Sequence, residues 1–177
     1  MLLGVLSDTH GHLKAIQEVS RQLREAGVEL VVHLGDDYRD LEWFRAEGFQ
    51  VVAVPGLYCP EFRQPQIPNL RLEEFAGVRF LLTHSPEFRL TDLPPTQVDH
   101  RPQIVLYGHT HIPAITERDG MIWINPGHLK DQDKRGYPPS YALIRLEPAQ
   151  LTVQILRLAD QDILEQAVFS LPDFSRI

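Results

Sequence analysis

The sequence predicts an α/β fold whose two halves follow different rules. Two observations carry that expectation. Apolar runs alternate with helical periods over residues 1–54, the mark of parallel strands joined by helices. From residue 70 to 158, paired apolar runs flank turn dipeptides, the mark of antiparallel hairpins. At 177 residues and 43% hydrophobic content, the chain is expected to form one domain, residues 1–177, with a core that needs no staples.

LLGVLS (2–7) is a short apolar run between polar residues, read as a buried strand. In the segment that follows, Leu13, Ile16, Val19 and Leu23 recur at helical spacing and Gly27 supplies a stop. ELVVHLG (29–35) is a second strand, residues 40–48 a short helix ending on glycine, and FQVVAV (49–54) a third strand. This βαβαβ order predicts a parallel sheet with right-handed crossovers. LRLEEF (70–75) and VRFLLTH (78–84) then form a hairpin around Ala76-Gly77. Residues 85–102 hold four prolines and read as loop with at most one short helix. QIVLY (103–107) is a strand. AITERDGMIWIN (114–125) is a hairpin around Asp119-Gly120, and residues 140–158 form another. The tail from Ala159 is open between helix and strand.

The net charge of −7 argues against nonspecific nucleic-acid binding, which needs a basic face. It leaves room for a phosphate ligand if bound cations supply the positive charge. A single cysteine, Cys59, excludes an internal disulfide and suits a reducing compartment. The N-terminal apolar run is too short for a signal peptide, and no run approaches the roughly 18 apolar residues that span a bilayer. A cytoplasmic protein with no membrane partner is the expectation. The antiparallel half and the 159–177 tail offer surfaces for a homo-oligomer.

Function is read from where the strands stop. They end in Ser7-Asp8-Thr9-His10-Gly11, in His33-Leu34-Gly35-Asp36-Asp37, in Pro55-Gly56-Leu57, in Thr83-His84-Ser85 and in Gly108-His109-Thr110-His111. Ligands of open α/β sheets gather at the carboxyl ends of strands. In an extended segment residues i and i+2 point the same way, so His109 and His111 are expected to project together. Asp8, His10, Asp36, His84, His109 and His111 are more donors than one ion takes from protein. They fit a two-metal clamp of the kind used on phosphate esters, with one carboxylate shared. Mixed nitrogen and oxygen donors suit manganese, with zinc, iron and nickel as alternatives.

SDTHG, HLGD, LTHS and GHTH, in this order, resemble the calcineurin-like metallophosphoesterases, most of all their small bacterial phosphodiesterases. INPG (124–127) and PPSYALIRLE (138–147) extend the resemblance over nearly the whole chain, and the related retromer subunit shares them. The resemblance implies a four-layer α-β-β-α sandwich of two mixed β-sheets. It implies one or two divalent ions and a small phosphate ester, a diester before a monoester, attacked by metal-activated water. By it, Asp8, His10 and His111 are ligands of a first metal, Asp36 is the bridge, and His84 and His109 serve a second. It also implies an alternative, a catalytically weak metal-binding scaffold that engages a protein partner.

Three positions depart from the pattern. Leu57 stands where the family has asparagine and removes a ligand of the second metal. Ser85-Pro86 replaces a glycine after His84. His128 replaces a serine after INPG and is the expected phosphate or leaving-group contact, with Tyr58 or water in its stead. Asp36, His84 and His128 form the expected catalytic set. The remaining polar groups have plainer readings. Asp37 starts a helix, His33 is a hydrogen-bonded core histidine, and His12 and His100 face solvent. Cys59 and Tyr58 pack. Leu13, Ile16, Trp43 and Phe44 face the sheets, and KDQDKR (130–135) is a solvated loop.

Overall fold

Strand β1 (Leu2–Leu6) is buried along its whole length because it lies mid-sheet with a neighbour on each side. The computed structural model describes residues 1–93, 101–131 and 133–170. From β1 the chain runs through helix α1 (Leu13–Glu25), β2 (Leu30–His33) and a 3-10 turn at Tyr38–Asp40. That turn leads into α2 (Leu41–Ala46) and β3 (Gln50–Ala53). The three strands pair in parallel, with Leu6 beside His33 and His33 beside Ala53, so their carboxyl ends finish level. After a 3-10 turn at Pro60–Arg63 come β4 (Leu70–Phe75), β5 (Val78–Thr83), β6 (Ile104–Leu106), β7 (Ala114–Arg118) and β8 (Met121–Asn125). They form a second sheet in the order β4-β5-β6-β8-β7. Both outer pairs are antiparallel, while β5, β6 and β8 run parallel.

The last strands return to the first sheet. β9 (Ser140–Glu147) lies antiparallel against β1, β10 (Gln150–Arg157) against β9, and β11 (Ile163–Ser170) against β10. The sheet order is β11-β10-β9-β1-β2-β3, and the tail left open by the sequence is a strand as far as Ser170. The predicted pair of mixed sheets is therefore present.

Alternation decides which side chains fill which layer. Leu3 and Val5 point between the sheets, into a core shared with Val32, Phe80, Leu82, Ile104, Leu106 and Ile144. Leu6, Val31 and Tyr141 point outward and are covered by Ile16, Val19 and Leu23 of α1 and Phe44 of α2. Truncating one of these fully buried leucines to alanine costs about 2–5 kcal/mol. Leu13 departs from its helical pattern: it is 51% exposed, at the first position of α1. The outer face of the second sheet has a thinner cover. Phe88 stacks on Trp123 at 5.4 Å and Leu93 is buried beside them, on a loop with one 3-10 turn at Leu90–Asp92. Among the described residues no helix is long and apolar enough to cross a membrane.

Candidate metal centre

The loops after β1, β2, β3, β5 and β6 meet at one edge of the sandwich, where the backbone turns sharply. Six of the ten non-glycine residues with positive φ among the described residues lie here: Asp8, His10, Asp36, Asp37, His109 and His111. Left-handed backbone at such residues costs on the order of 1–3 kcal/mol each and persists only where neighbours enforce it. Here they do. Asp8 N donates to Gly35 O at 2.8 Å, Gly108 N to His84 O at 3.0 Å and Leu129 N to Asp8 O at 3.2 Å. The Thr9 hydroxyl donates to Asp36 O at 2.8 Å. Two glycines allow the close approach: a Cβ on Gly108 would meet Ser7 Oγ at 1.9 Å, and one on Gly56 would meet Asp36 Oδ1 at 2.0 Å.

This backbone corrects the expectation for the paired histidines. β6 ends at Leu106, and His109 and His111 are left-handed, with φ of 63° and 59°, rather than extended. Their rings therefore part. His111 joins Asp8 and His10, while His109 packs against His84 with ring centroids 5.2 Å apart.

One ligand atom from each of Asp8, His10, Asp36 and His111 lies within 4.8 Å of the others. Asp8 Oδ1 is 3.0 Å from His111 Nε2, His10 Nε2 is 3.4 Å from Asp36 Oδ2, and the two Nε2 atoms are 3.5 Å apart. The other oxygen of Asp8 is fully engaged by the Ser7 hydroxyl at 2.6 Å and by His109 N at 2.9 Å. Oδ1 is buried and makes no well-formed hydrogen bond. On the far side, His84 Nδ1 donates to Leu34 O at 2.7 Å, so Nε2 carries the lone pair. That nitrogen is buried without a partner, 3.5 Å from Asp36 Oδ1. Orphaned buried acceptors are costly, and a divalent cation is the group that would satisfy several at once. The donor set fits such an ion.

The charges respond to this crowding. Burial pushes the Asp8 carboxyl up, but the His111, His84 and Ser7 contacts outweigh it and hold it below the ordinary value. Burial lowers His10 against the pull of Asp36. His111 is raised by Asp8 and further by Asp133, against burial. Without a cation, a proton on His111 serves the Asp8 pair, so cation and proton compete for the same place.

Around these groups the structure makes several corrections. Asp133, read as part of a solvated loop, has a side chain only 7% exposed and sits 2.5 Å from His111 Nδ1. A buried carboxylate behind a ligand-type histidine fixes which nitrogen faces the centre. His128 is fully buried, 5.2 Å from the His111 ring. Its Nε2 donates to Tyr137 O and its Nδ1 accepts from Lys130 N, both at 3.1 Å, so it presents no free nitrogen to a substrate. Tyr58 is not packed: it is 86% exposed and lines a cleft of about 320 Å³ with His10, Asp36, Asp37 and Cys59. His12 is half-buried, donating from Nδ1 to Leu129 O at 3.1 Å, and His100 lies outside the described residues. Asp37 does precede a helical turn, though its side chain makes no cap.

His33 is the core histidine expected of it. It accepts from Gly35 N and meets the Thr9 hydroxyl at 3.1 Å, and burial lowers its pKa to about 3. Asn125, within INPG, is a brace that its local sequence does not announce. Its amide reaches Gly108 O at 3.1 Å and Thr110 Oγ1 at 2.8 Å, pinning the GHTH loop.

A family profile described as the calcineurin-like phosphoesterase superfamily domain matches residues 1–148. The chain belongs to that superfamily. As a calcineurin-like phosphoesterase it falls in the class of phosphoric ester hydrolases. Phosphodiesterase YfcE of Escherichia coli K12 is 26% identical over 96% of this chain and 99% of its own length. A probable metallophosphoesterase of Methanothermobacter thermautotrophicus is 28% identical over 89% and 92%. The solved structure of the E. coli phosphoesterase YfcE covers 94% of this chain and 98% of its own, with a TM-score of 0.72. Vps29 of Chaetomium thermophilum matches at a TM-score of 0.73 over 97% and 98%, at 15% identity, a likeness of fold.

Proposed function

We propose that this protein hydrolyses small phosphate esters, diesters before monoesters, with Asp8, His10, Asp36 and His111 holding a first divalent ion. The carrying observation is that one ligand atom from each of these four side chains converges within 4.8 Å, with Asp8 Oδ1 buried and lacking a well-formed hydrogen bond. Asp36 is the shared carboxylate, since one oxygen faces His10 and the other His84. His84 and His109 are the remaining donors for a second ion, which Leu57 leaves short of one ligand. When bound, divalent cations offset the negative charge of the phosphate oxygens and acidify water enough to attack phosphorus near neutral pH.

The chain's own groups orient this chemistry. Ser7 and the His109 amide fix Asp8, Leu34 O fixes His84, and Asp133 fixes His111. Of the three leaving-group contacts expected, His128 is committed to the main chain, which leaves the Tyr58 hydroxyl at the cleft mouth and water. We assign manganese on the mixed donors, and a cytoplasmic location on the lone cysteine. A metal-binding scaffold would use the same inward-facing acceptors, so turnover is what separates the two readings.

The test is metal analysis followed by hydrolysis of bis(p-nitrophenyl) phosphate in manganese, for the wild type and Asp36→Asn. Turnover in the wild type and a loss of roughly 100-fold or more in the variant are expected. Bound metal with no turnover on any ester would favour the scaffold.

A further inference from the structure

The centre is flanked by two spaces of different size. One is the 320 Å³ cleft beside His10 and Asp37. The other is a cavity of about 740 Å³ on the His84 side. The loop after β3 divides them: Leu57 lines the larger space, and Tyr58, Cys59 and Pro60 line the smaller.

We infer that the larger cavity is a binding subsite for an apolar, aromatic organic group carried by the ester, with Leu57 as its inner wall. This rests on the phosphoesterase reading above. Position is the first argument. Thr83 and Ser85, the chain neighbours of His84, both line the cavity. Leu57 follows Gly56, which lies against Asp36. None of the six candidate ligands lines the cavity itself; it starts at residues adjoining His84 and Gly56, so one substituent of a phosphate held at the centre can extend toward it. Chemistry is the second. Leu57, Phe62, Ile67 and Phe88 give the cavity its apolar walls, with Arg63 and Asp92 among the charged groups that also line it. Its volume falls within the range of small-molecule sites, which are mostly apolar with a few polar groups.

The cavity also gives Leu57 a purpose. A leucine at the end of β3 cannot coordinate an ion, but it can exclude water from one side of the phosphate and contact a ring. The change that weakens a second ion site thus builds a wall for the ester's organic half.

Phosphonates test this without turnover, since the P–C bond is not hydrolysed and each carries one organic arm. Phenylphosphonate and methylphosphonate are titrated calorimetrically into manganese-loaded wild type and into Ile67→Trp, which fills the cavity from a loop. Phenylphosphonate is expected to bind about 10-fold tighter or better, from the apolar area its ring buries. Ile67→Trp should bring the ratio close to one with methylphosphonate affinity unchanged. Phe62→Ala, a second variant, should weaken phenylphosphonate alone. Equal affinities in the wild type would overturn the subsite and leave the metal centre standing. A preference for the ring that survives both substitutions would also overturn it. Binding of neither phosphonate would sink the phosphoesterase reading and the subsite with it.

Discussion

Replacing Asp133 with asparagine removes one charge behind the metal centre and almost no volume. In the native arrangement Oδ2 of Asp133 meets His111 Nδ1 at 2.5 Å, and Oδ1 is held by Arg135 N at 2.7 Å. Both oxygens are thus used, and the side chain has little room to turn. Hydrogen bonds to an ionised acceptor are roughly twice as strong as neutral ones. An asparagine keeps an acceptor for Nδ1 but not the charge, and it can present its NH2 group instead. Either way His111 becomes a poorer and less well aimed donor toward Asp8. Loss of such an outer partner typically costs 10–100-fold in metal affinity, about 1.4–2.7 kcal/mol. The assay is manganese titration against a competing chelator at fixed pH, with circular dichroism of the metal-free proteins as the control for folding. Asp133→Glu should recover part of the loss. A well-folded Asp133→Asn that binds manganese like the wild type would refute the claim that this carboxylate orients His111.

The other predictions concern packing, charge and the altered loop. His33 stays neutral in the fold, with a pKa of about 3 against about 6.5 unfolded. Below pH 6.5 the unfolded chain therefore takes a proton that the folded one refuses, and stability falls by about 1.4 kcal/mol per unit of pH. Urea unfolding of wild type and His33→Asn should show the wild-type advantage at pH 7 shrinking by about 2 kcal/mol at pH 5; a constant difference would contradict it. Gly108→Ala forces a methyl group against Ser7 Oγ and should cost about 3 kcal/mol or more, together with manganese affinity. Leu57→Asn places a side-chain amide at the residue after Gly56, which lies against Asp36. Metal analysis should find a stoichiometry closer to two, and hydrolysis of esters without an aromatic arm should speed up, whereas unchanged values would show that the second position was never short of a ligand. Tyr58→Phe should slow esters with poor leaving groups and spare aryl esters; equal losses on both would remove the hydroxyl from leaving-group assistance.

Much of this protein was legible in local sequence. The strands, the two helices and the hairpins follow from period and turn dipeptides, which act over a few residues. The acidic and imidazole groups at strand ends were legible for the same reason. The departure at Leu57 came only from the resemblance to the superfamily, because nothing in the local sequence marks residue 57 as a ligand position. The first sheet's order was not legible: β9, from the far end of the chain, lies beside β1, and no local period records that pairing. Neither was the parting of His109 and His111, since the two-residue alternation applies only while a strand lasts and β6 stops at Leu106.

The environments of single side chains were decided by tertiary structure alone. Asp133 sits in a charged run that reads as solvated, yet folding brings it against a histidine 22 residues away. His128 reads as a free catalytic group, yet its own loop occupies both nitrogens. Tyr58 reads as packed, yet it stands in solvent. Residue type sets what a group can donate, accept or coordinate. Whether it does so depends on which distant atoms displace water from around it, and that is settled only when the two sheets close on each other.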